Sequence, residues 1–440
     1  MILVIKIKKK IIKYKKFLLG YSGGIDSTVL LYQLIEIKKK NNITIRAIHI
    51  DHQIHPESKK WRLHCQKICQ IHKIPFIYKK ILLNTKNKNI ESEARKKRYK
   101  IFKQNLQSKE ILLTGHNLND QCETLLLAIK RGSGPKGLSG IAYKKKFFKN
   151  YLIRPLLSFS RQEIEIWAKY KKIKWIEDKS NQNTSYERNF LRHKILPQIN
   201  QKWKFFFKNC LRTTKLIYSE HKLLNKFIKP IFKKNLLKKK ILNIKNIKKM
   251  DIDIQYFIIR KWINLQGMQM PTLKFLKSIL KNVIHNKKKK NPRIEFKKNE
   301  IWNYQNKLFW LKKTYNIQEY IVFWHNIKKK IFLPKKNGYL KIKKKIHKNN
   351  VLNIQAPKQQ QLVNIRFYTN QKIQINTNIK KLQNIKKIFN KFKIPPWKRK
   401  ITPLLFYDNK FISIIGIFST QEKYNIDCKK ISIIWNHKKE

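Results

Sequence analysis

Residues 17–31 read FLLGYSGGIDSTVLL, so a short apolar run, a glycine-rich turn and a second apolar run follow one another directly. The first run predicts a buried strand, and residues 26–38 predict an amphipathic helix. Strand, tight turn and helix in this order are typical of the opening of a βαβ unit. We therefore take this stretch as the start of an α/β domain.

The turn at Ser22-Gly23-Gly24-Ile25-Asp26-Ser27 has the chemistry of a phosphate site. Glycines let successive backbone N–H groups point into one concavity, and the following helix adds its positive N-terminal end. The serines supply hydroxyl donors. Asp26 would repel a phosphate unless a divalent cation lies between them, so the turn predicts Mg²⁺ together with a nucleotide. The simpler reading, a Gly-Gly turn capped by Asp26, does not account for all six residues in a strand–turn–helix context.

The first two hundred residues continue the alternation of apolar runs and amphipathic stretches. Strands separated by helices predict right-handed crossovers and a parallel sheet with helices on both faces. The predicted strands are 17–19, 43–50, 75–83, 111–113 and 151–157. The predicted helices are 26–38, 57–72, 91–107, 119–130 and 160–171.

The pattern of apolar and polar residues changes after Pro197. Residues 203–285 favour helices, and strand-like alternation follows from about 292. The last block includes residues 412–418 as one buried strand. We expect an α/β domain over 1–205, a mainly helical middle domain over 206–340 and a small α+β domain over 350–440.

The net charge of the chain indicates which class of molecule it binds. Lys and Arg number 103 against 24 Asp and Glu, which gives a net charge of +79, and only 14 of the cations are Arg. A chain this basic that also has 42% hydrophobic residues predicts a folded protein that binds polyanions. Five cysteines form no even framework and no apolar run reaches the length of a membrane span, so we expect a soluble, cytoplasmic protein without a membrane partner.

A second polar constellation follows the apolar run at 111–113 and includes His116, Asp120 and Glu123. Because ligands bind along the carboxyl edge of open parallel sheets, this constellation and the glycine-rich turn are predicted to share one site. Asp120 is then the natural second Mg²⁺ ligand beside Asp26. Acids near a helix start also stabilise the helix dipole, so Glu123 could equally be structural.

Arg residues concentrate in this region, with seven of the fourteen between 95 and 192. Guanidinium groups make planar bidentate contacts to phosphate that Lys cannot make. We therefore rank six of these seven positions above any Lys as phosphate contacts, although surface ion pairs are the alternative for each of them. They are Arg95, Arg98, Arg131, Arg154, Arg188 and Arg192.

Three rival sites find less support. The glycine spacing over 132–137 resembles a Walker loop, but Leu138 stands where that loop needs Lys. Histidines at 49, 52 and 55 suit nucleotide packing as well as they suit a metal. The His and Cys residues at 64–72 lack the close ligand pairs of zinc signatures.

The six-residue turn resembles the pyrophosphate loop of the ATP pyrophosphatase (PP-loop) superfamily, and further segments narrow the resemblance. In order and spacing they closely resemble the tRNA(Ile)-lysidine synthetase family over about 15–200. The segments are His49 to His52, Arg131 to Gly140, Arg154 to Leu157, Trp175 to Asn181 and Tyr186 to Arg192. The segment 394–399 with 403–405 resembles the family's C-terminal domain.

The resemblance implies an ATP-dependent ligase. Such an enzyme adenylates the wobble cytidine of an isoleucine tRNA with a CAU anticodon, releases pyrophosphate, and lets free L-lysine displace AMP to form lysidine. We expect ATP contacts from residues 22–27 and His52, catalytic roles for Asp26, Asp120 and His116, and a homodimer. Glu91 and Glu93 are predicted lysine ligands. The family resemblance further implies a catalytic N-terminal domain, a tRNA-binding middle domain and a tRNA-recognition C-terminal domain. The predicted tRNA contacts are Arg95, Arg98, Arg131, Arg188, Arg192, Arg366 and Arg399.

Two departures concern the RNA contacts. Gln53-Ile54-His55 replaces the Gly-Leu-Arg usual in the family, and 366–370 lacks the usual Arg-x-Arg and Gly-Gly. Two alternatives stay open: a tRNA 2-thiolation enzyme, which typically needs C-x-x-C pairs that are absent here, and an inactive RNA-binding module.

Overall fold

The strand predicted before the glycine-rich turn lies at the centre of a six-stranded sheet. A computed structural model describes residues 2–51, 57–81, 90–268, 270–313, 315–342, 353–376, 379–420 and 430–437. Two compact units divide between Phe227 and Ile228. The strands of the first unit are β1 (Lys16–Gly20), β2 (Thr44–Asp51), β3 (Phe76–Lys80), β4 (Ile111–Leu113), β5 (Lys144–Phe147) and β6 (Asn150–Ile153).

The strand order is β3-β2-β1-β4-β6-β5, and every neighbouring pair is parallel except β5 with β6. The order reverses between β1 and β4, so the loops after these two strands lie at a topological switch point. The two motifs singled out in the sequence follow these strands. The α/β class with a mostly parallel sheet is confirmed.

Helices cover both faces of this sheet. Phe17 and Leu19 pack into the core on one face, whereas Leu18 packs with Phe102 on the other. This alternation follows from the two-residue period of a strand. The helices of the region are α1 (Ile2–Ile11), α2 (Ile25–Lys39), α3 (Ser58–Ile71), α4 (Ile90–Asn105), α5 (Leu118–Lys130), α6 (Pro135–Leu138), α7 (Arg161–Tyr170), α8 (Glu187–Phe190), α9 (Leu196–Lys202) and α10 (Phe206–Asn235).

Several elements differ from the expectation. The sequence reading missed α1 and the edge strand β5. The strand expected over 151–157 ends at Ile153, because Pro155 begins a 3-10 helix, Pro155–Ser158.

The middle region combines helices with an antiparallel sheet of order β7-β8-β11-β10-β9. Buried Trp262 and Trp310 belong to the core between helices and sheet. The helical character expected after residue 203 is confirmed, whereas the sheet was expected only from about 292. The elements are β7 (Leu236–Lys238), β8 (Ile241–Asn243), α11 (Ile252–Leu265), α12 (Leu273–Ile279), β9 (Arg293–Phe296), β10 (Asn299–Tyr304) and β11 (Lys307–Lys312).

The C-terminal region consists mainly of antiparallel strands. Its elements are β12 (Ile321–Phe323), β13 (Ile331–Phe332), β14 (Tyr339–Ile342), β15 (Asn353–Gln355), β16 (Val363–Arg366), β17 (Lys372–Asn376), β18 (Ile379–Asn384), α13 (Ile385–Lys391), α14 (Pro396–Arg399), β19 (Leu404–Tyr407), β20 (Lys410–Ile414), β21 (Phe418–Ser419) and β22 (Lys430–Asn436). Strand β12 pairs with β16 and β14 pairs with β22, so hydrogen bonds join residues 321–342 to strands beyond residue 350. The domain boundaries stay predictions.

The single strand expected over 412–418 is two strands of a hairpin, β20 and β21. Gly416 lies between them at φ +75°, a left-handed conformation that glycine adopts without strain. Among the described residues, no helix combines the length and the apolar character that a membrane span requires.

Candidate active site

The loop between β1 and α2 is closed by its own hydroxyl groups. The Ser22 amide donates to Ser27 Oγ at 3.2 Å, the two hydroxyl oxygens are 3.0 Å apart, and Ser27 Oγ donates to the Gly24 carbonyl at 2.9 Å. Gly23 has φ +86°, and a Cβ there would lie 2.5 Å from Ile176 Cδ1. The N-cap Gly24 has no side-chain cap, which leaves the first amides of the fifteen-residue helix α2 to a ligand.

The second motif contacts this loop directly. A Cβ on Gly115 would lie 3.0 Å from the backbone of Asp26 and Ser27, so only glycine permits this approach. Asn117 caps α5 in a reciprocal capping box with Asp120, and its Nδ2 donates to Asp26 Oδ1 at 2.9 Å. The structure thus brings together the two motifs that the sequence placed at one edge.

Two arginines form ion pairs with the carboxylates of Asp26, Asp120 and Glu123, where the two motifs meet. This region is called the acidic junction below. Arg161 Nη1 donates to Asp26 Oδ2 at 2.8 Å. Arg192 Nη2 donates to Asp120 Oδ1 at 3.1 Å, and its Nε donates to Glu123 Oε1 at 2.8 Å. Burial raises the pKa of Asp26, Arg161 lowers it, and the charge of Asp120 raises it again.

Glu123 is the most deeply placed acid of this junction. Its side chain is fully buried, and its Oε2 has no hydrogen-bond partner among the described residues. Burial raises the pKa of Glu123 to about 6 in spite of the opposing charge of Arg192. A buried carboxylate oxygen without a partner is costly, so this position is suited to a cationic ligand.

His116 lies between Gly115 and Asn117, and its Nδ1 is 3.0 Å from Thr114 Oγ1. Burial holds the pKa of His116 well below its usual range, and the positive charges of Arg154, Arg95, Arg98 and Arg188 act in the same direction. The imidazole is therefore neutral at physiological pH.

Comparisons with known proteins agree with this geometry. A PP-loop domain model matches residues 3–199, a TilS substrate binding domain model matches 242–309, and a TilS substrate C-terminal domain model matches 363–435. The tRNA(Ile)-lysidine synthase of Buchnera aphidicola subsp. Baizongia pistaciae is 46% identical over 95% of this chain and 95% of its own length. The chain belongs to the tRNA(Ile)-lysidine synthase family.

A more distant relative and one solved structure are also similar to this chain. The tRNA(Ile)-lysidine synthase of Photorhabdus laumondii is 34% identical over 99% of this chain and 98% of its own length. Among solved structures, a U34-tRNA thiolase from Methanococcus maripaludis covers 49% of this chain and 78% of its own, with 20% identity and a TM-score of 0.42.

The remaining predicted site residues of this lysidine synthase family member have varied surroundings. Arg95 is exposed on α4, Arg98 and Arg188 are half-buried, and Arg131 is exposed at the end of α5. In the second unit, Arg366 stacks on Phe406 at 4.5 Å and bonds Asn364 and Asn409. Arg399 bonds the Ile394 carbonyl and Asn390.

The predicted lysine ligands on α4 are only partly described. Glu93 pairs with Lys97 at 2.8 Å. Glu91 belongs to α4, but its side chain lies outside the described residues, as does His52.

Sequence reasoning missed Arg161 and left the role of Glu123 open. Arg161 begins α7 after the capping box of Ser160 and Glu163, where the sequence predicted only a helix over 160–171. Its partner Asp26 is 135 residues away in the chain. The available signal was an Arg in a chain whose cations are nearly all Lys.

The residues expected to hold Mg²⁺ fit that ion. Each oxygen of Asp26 and Asp120 accepts one hydrogen bond, from Asn117, Arg161 or Arg192, and keeps a second lone pair. Two mutually repelling carboxylates beside a phosphate loop suit a cation that is completed by phosphate oxygens and water. Within the described ranges, no group of three His, Cys, Asp or Glu residues has metal-binding geometry.

Proposed function

We propose that the protein is an ATP-dependent ligase that forms lysidine at the wobble cytidine of an isoleucine tRNA with a CAU anticodon. Membership of the tRNA(Ile)-lysidine synthase family supports the activity. The observation that carries the mechanism is the direct link from the phosphate loop to the acidic junction, through Asn117 and Asp26. One site can therefore hold the nucleotide and a cationic co-substrate side by side.

In the first step, the 2-carbonyl oxygen of the cytosine attacks the α-phosphorus of ATP. A P–O bond forms to the base while the bond to the β-phosphate oxygen breaks, and pyrophosphate leaves. The amides and hydroxyls of Ser22 to Ser27 bind the departing pyrophosphate, and the neutral His116 donates a hydrogen bond to a phosphate oxygen. Mg²⁺ on Asp26 and Asp120 would supply charge neutralisation.

In the second step, the ε-amine of lysine attacks C2 of the adenylated base, the C2–O bond breaks, and AMP leaves with the oxygen. We propose that Asp120, Glu123 and Arg192 bind the α-ammonium and α-carboxylate of lysine. Their opposite charges match an amino acid, and Glu123 Oε2 is a buried acceptor without a partner among the described residues. This assignment puts Arg192 in the lysine site besides its predicted tRNA contact, and the α4 acids Glu91 and Glu93 stay candidate lysine ligands.

The tRNA contacts complete the proposal. We propose that Arg95, Arg98, Arg131 and Arg188 contact the tRNA from the first unit. Arg366 and Arg399 are proposed to contact it from the second, where their existing hydrogen bonds orient the guanidinium groups. We also propose a cytoplasmic location and a homodimer.

The direct test is mass spectrometry of the wobble nucleoside after purified protein, isoleucine tRNA, ATP and lysine are incubated together. Lysidine is the expected product, and its absence would refute the function. A reaction without lysine distinguishes a lysidine-forming enzyme from a thiolation enzyme, because a thiolation enzyme would consume ATP and act on the tRNA without lysine. Pyrophosphate release with tRNA excludes an inactive RNA-binding module.

The matched variant is Asp26→Ala, which should abolish lysine attachment while tRNA binding stays near wild type. Persistent lysine attachment would contradict the role given to Asp26.

A further inference from the structure

A cluster of positively charged side chains lies around His116, where two neighbouring strands end. Strands β4 and β6 are parallel with Leu113 opposite Ile153, and the Thr114 amide donates to the Ile153 carbonyl at 3.3 Å. The residues that follow these strands therefore lie next to one another. After β4 comes His116, and after β6 comes Arg154.

Arg154 is a buried cation whose bonding is incomplete. It is 5% exposed, and its Nη1 donates to the Ala142 carbonyl at 2.6 Å. Its Nε has no hydrogen-bond partner, and the guanidinium has no ion pair among the described residues. A buried charge without a counter-charge is unfavourable, so this position is suited to an anion.

A second guanidinium belongs to this cluster. The Arg95 guanidinium stacks on the Tyr99 ring at 5.2 Å, and the Tyr99 side chain faces Arg154. The neighbouring carboxylates Asp26 and Asp120 are already bonded to Arg161 and Arg192. His116 supplies a neutral donor: when the Thr114 hydroxyl donates to Nδ1, the proton is on Nε2.

We infer that Arg154, Arg95 and His116 form a second phosphate-binding subsite, separate from the Ser22–Ser27 loop, that takes a phosphate group of a nucleotide substrate. The inference rests on the proposed function, because that function brings two phosphate carriers to this edge of the sheet. The loop binds the pyrophosphate portion of ATP, and Gly115, which precedes His116, packs against that loop. The subsite then binds either the α-phosphate of ATP or a backbone phosphodiester of the tRNA.

Two variants and one control test the subsite in the full chain. Arg154→Met removes the buried charge with little change of length, and Arg95→Met removes an exposed one. Arg212→Met is the control, because Arg212 is exposed on α10 and belongs to no site described above. Dissociation constants are measured for α,β-methylene-ATP and for isoleucine tRNA transcript at fixed salt, and circular dichroism checks the fold.

Loss of one charge-assisted contact should weaken binding about 10- to 100-fold for Arg154→Met and less for Arg95→Met. A loss confined to the ATP analogue assigns the α-phosphate, and a loss confined to tRNA assigns a phosphodiester. Unchanged affinity of folded Arg154→Met for both ligands overturns the subsite. If Arg154→Met does not fold, unchanged affinity of Arg95→Met for both ligands overturns it.

Failure of the proposed function is distinguishable, because these binding measurements need no lysidine. If the wild-type protein makes no lysidine but Arg154→Met weakens binding of the phosphate ligands, the proposed function is refuted and the subsite is still supported.

Discussion

Glu123 combines full burial with a charge that the proposed lysine site needs. Its pKa is raised to about 6, so the side chain takes up a proton in mildly acidic solution while an ordinary glutamate stays ionised. We expect lysine affinity to fall as the pH drops below about 6, since the protonated side chain no longer attracts an ammonium group. Titration of lysine KM against pH measures this.

The variant Glu123→Gln should have weak lysine affinity at all pH values and no inflection near 6. The contribution of Glu123 to the free energy of unfolding changes with pH in the direction opposite to its effect on lysine affinity. Because its folded pKa is raised above the ordinary 4.5, this contribution rises as the pH falls from about 6 to 4.5. Glu36→Gln, which removes an exposed pair with Lys39, is the control and should keep the wild-type pH profile. An inflection that persists in Glu123→Gln would assign it to another group.

His116 gives a second prediction at this scale. Because burial and four arginines hold its pKa well below the usual range, the imidazole stays neutral from about pH 8 to pH 6. Histidine NMR should show no titration of His116 in this interval. In Arg154→Met the pKa of His116 should move upward, since the guanidinium with the largest effect among the four is removed. An unshifted resonance would show that Arg154 does not act on His116.

Asn117 joins two elements, because it caps α5 and donates to Asp26 at the start of α2. These roles can be separated. Asn117→Ser retains a capping hydroxyl but loses the amide donor, so unfolding free energy should change by only a few tenths of a kcal/mol while pyrophosphate release falls. Asn117→Ala should also lose about 1 kcal/mol of stability.

A matched control for the cap is Thr272→Ala. Thr272 caps α12 in the second unit by accepting from the Phe275 amide at 3.3 Å. It should lose comparable unfolding free energy without a loss of pyrophosphate release. If Asn117→Ser releases pyrophosphate at the wild-type rate, the Asn117–Asp26 bond has no role in catalysis.

Elements also show what the sequence could predict and what it could not. Local periodicity predicts the succession of strands and helices along the chain, and glycines and capping residues predict the phosphate loop and the helix starts. These features were therefore predictable at β1, α2 and α5. The partners Arg161 and Arg192 were not predictable as carboxylate ligands, because they contact Asp26 and Asp120 across 135 and 72 residues of chain. Glu123 needed its burial to be known before its role could be weighed against that of a helix-dipole acid.

Charge acts at the scale of the whole molecule. Of the 103 cations, only 14 are Arg, and seven of these lie between residues 95 and 192, whereas Lys runs occur throughout the chain. Lysines on solvated faces neutralise phosphate without regard to sequence, so they should raise affinity for every tRNA equally. The arginines around the site should instead distinguish the isoleucine tRNA from a methionine tRNA with the same anticodon.

The exposed run Lys287–Lys290 tests this division of roles. Replacing all four lysines by Gln should weaken the binding of both tRNAs by the same factor. The slope of log affinity against log salt concentration should fall by up to about four counterions between roughly 50 and 200 mM salt. Arg98→Met should reduce the slope by about one and weaken the isoleucine tRNA more than the methionine tRNA. Filter binding of both transcripts across that salt range measures the two effects. A selective loss of the isoleucine tRNA in the Lys variant would show that the Lys excess carries specificity, and equal losses in Arg98→Met would remove Arg98 from the recognition surface.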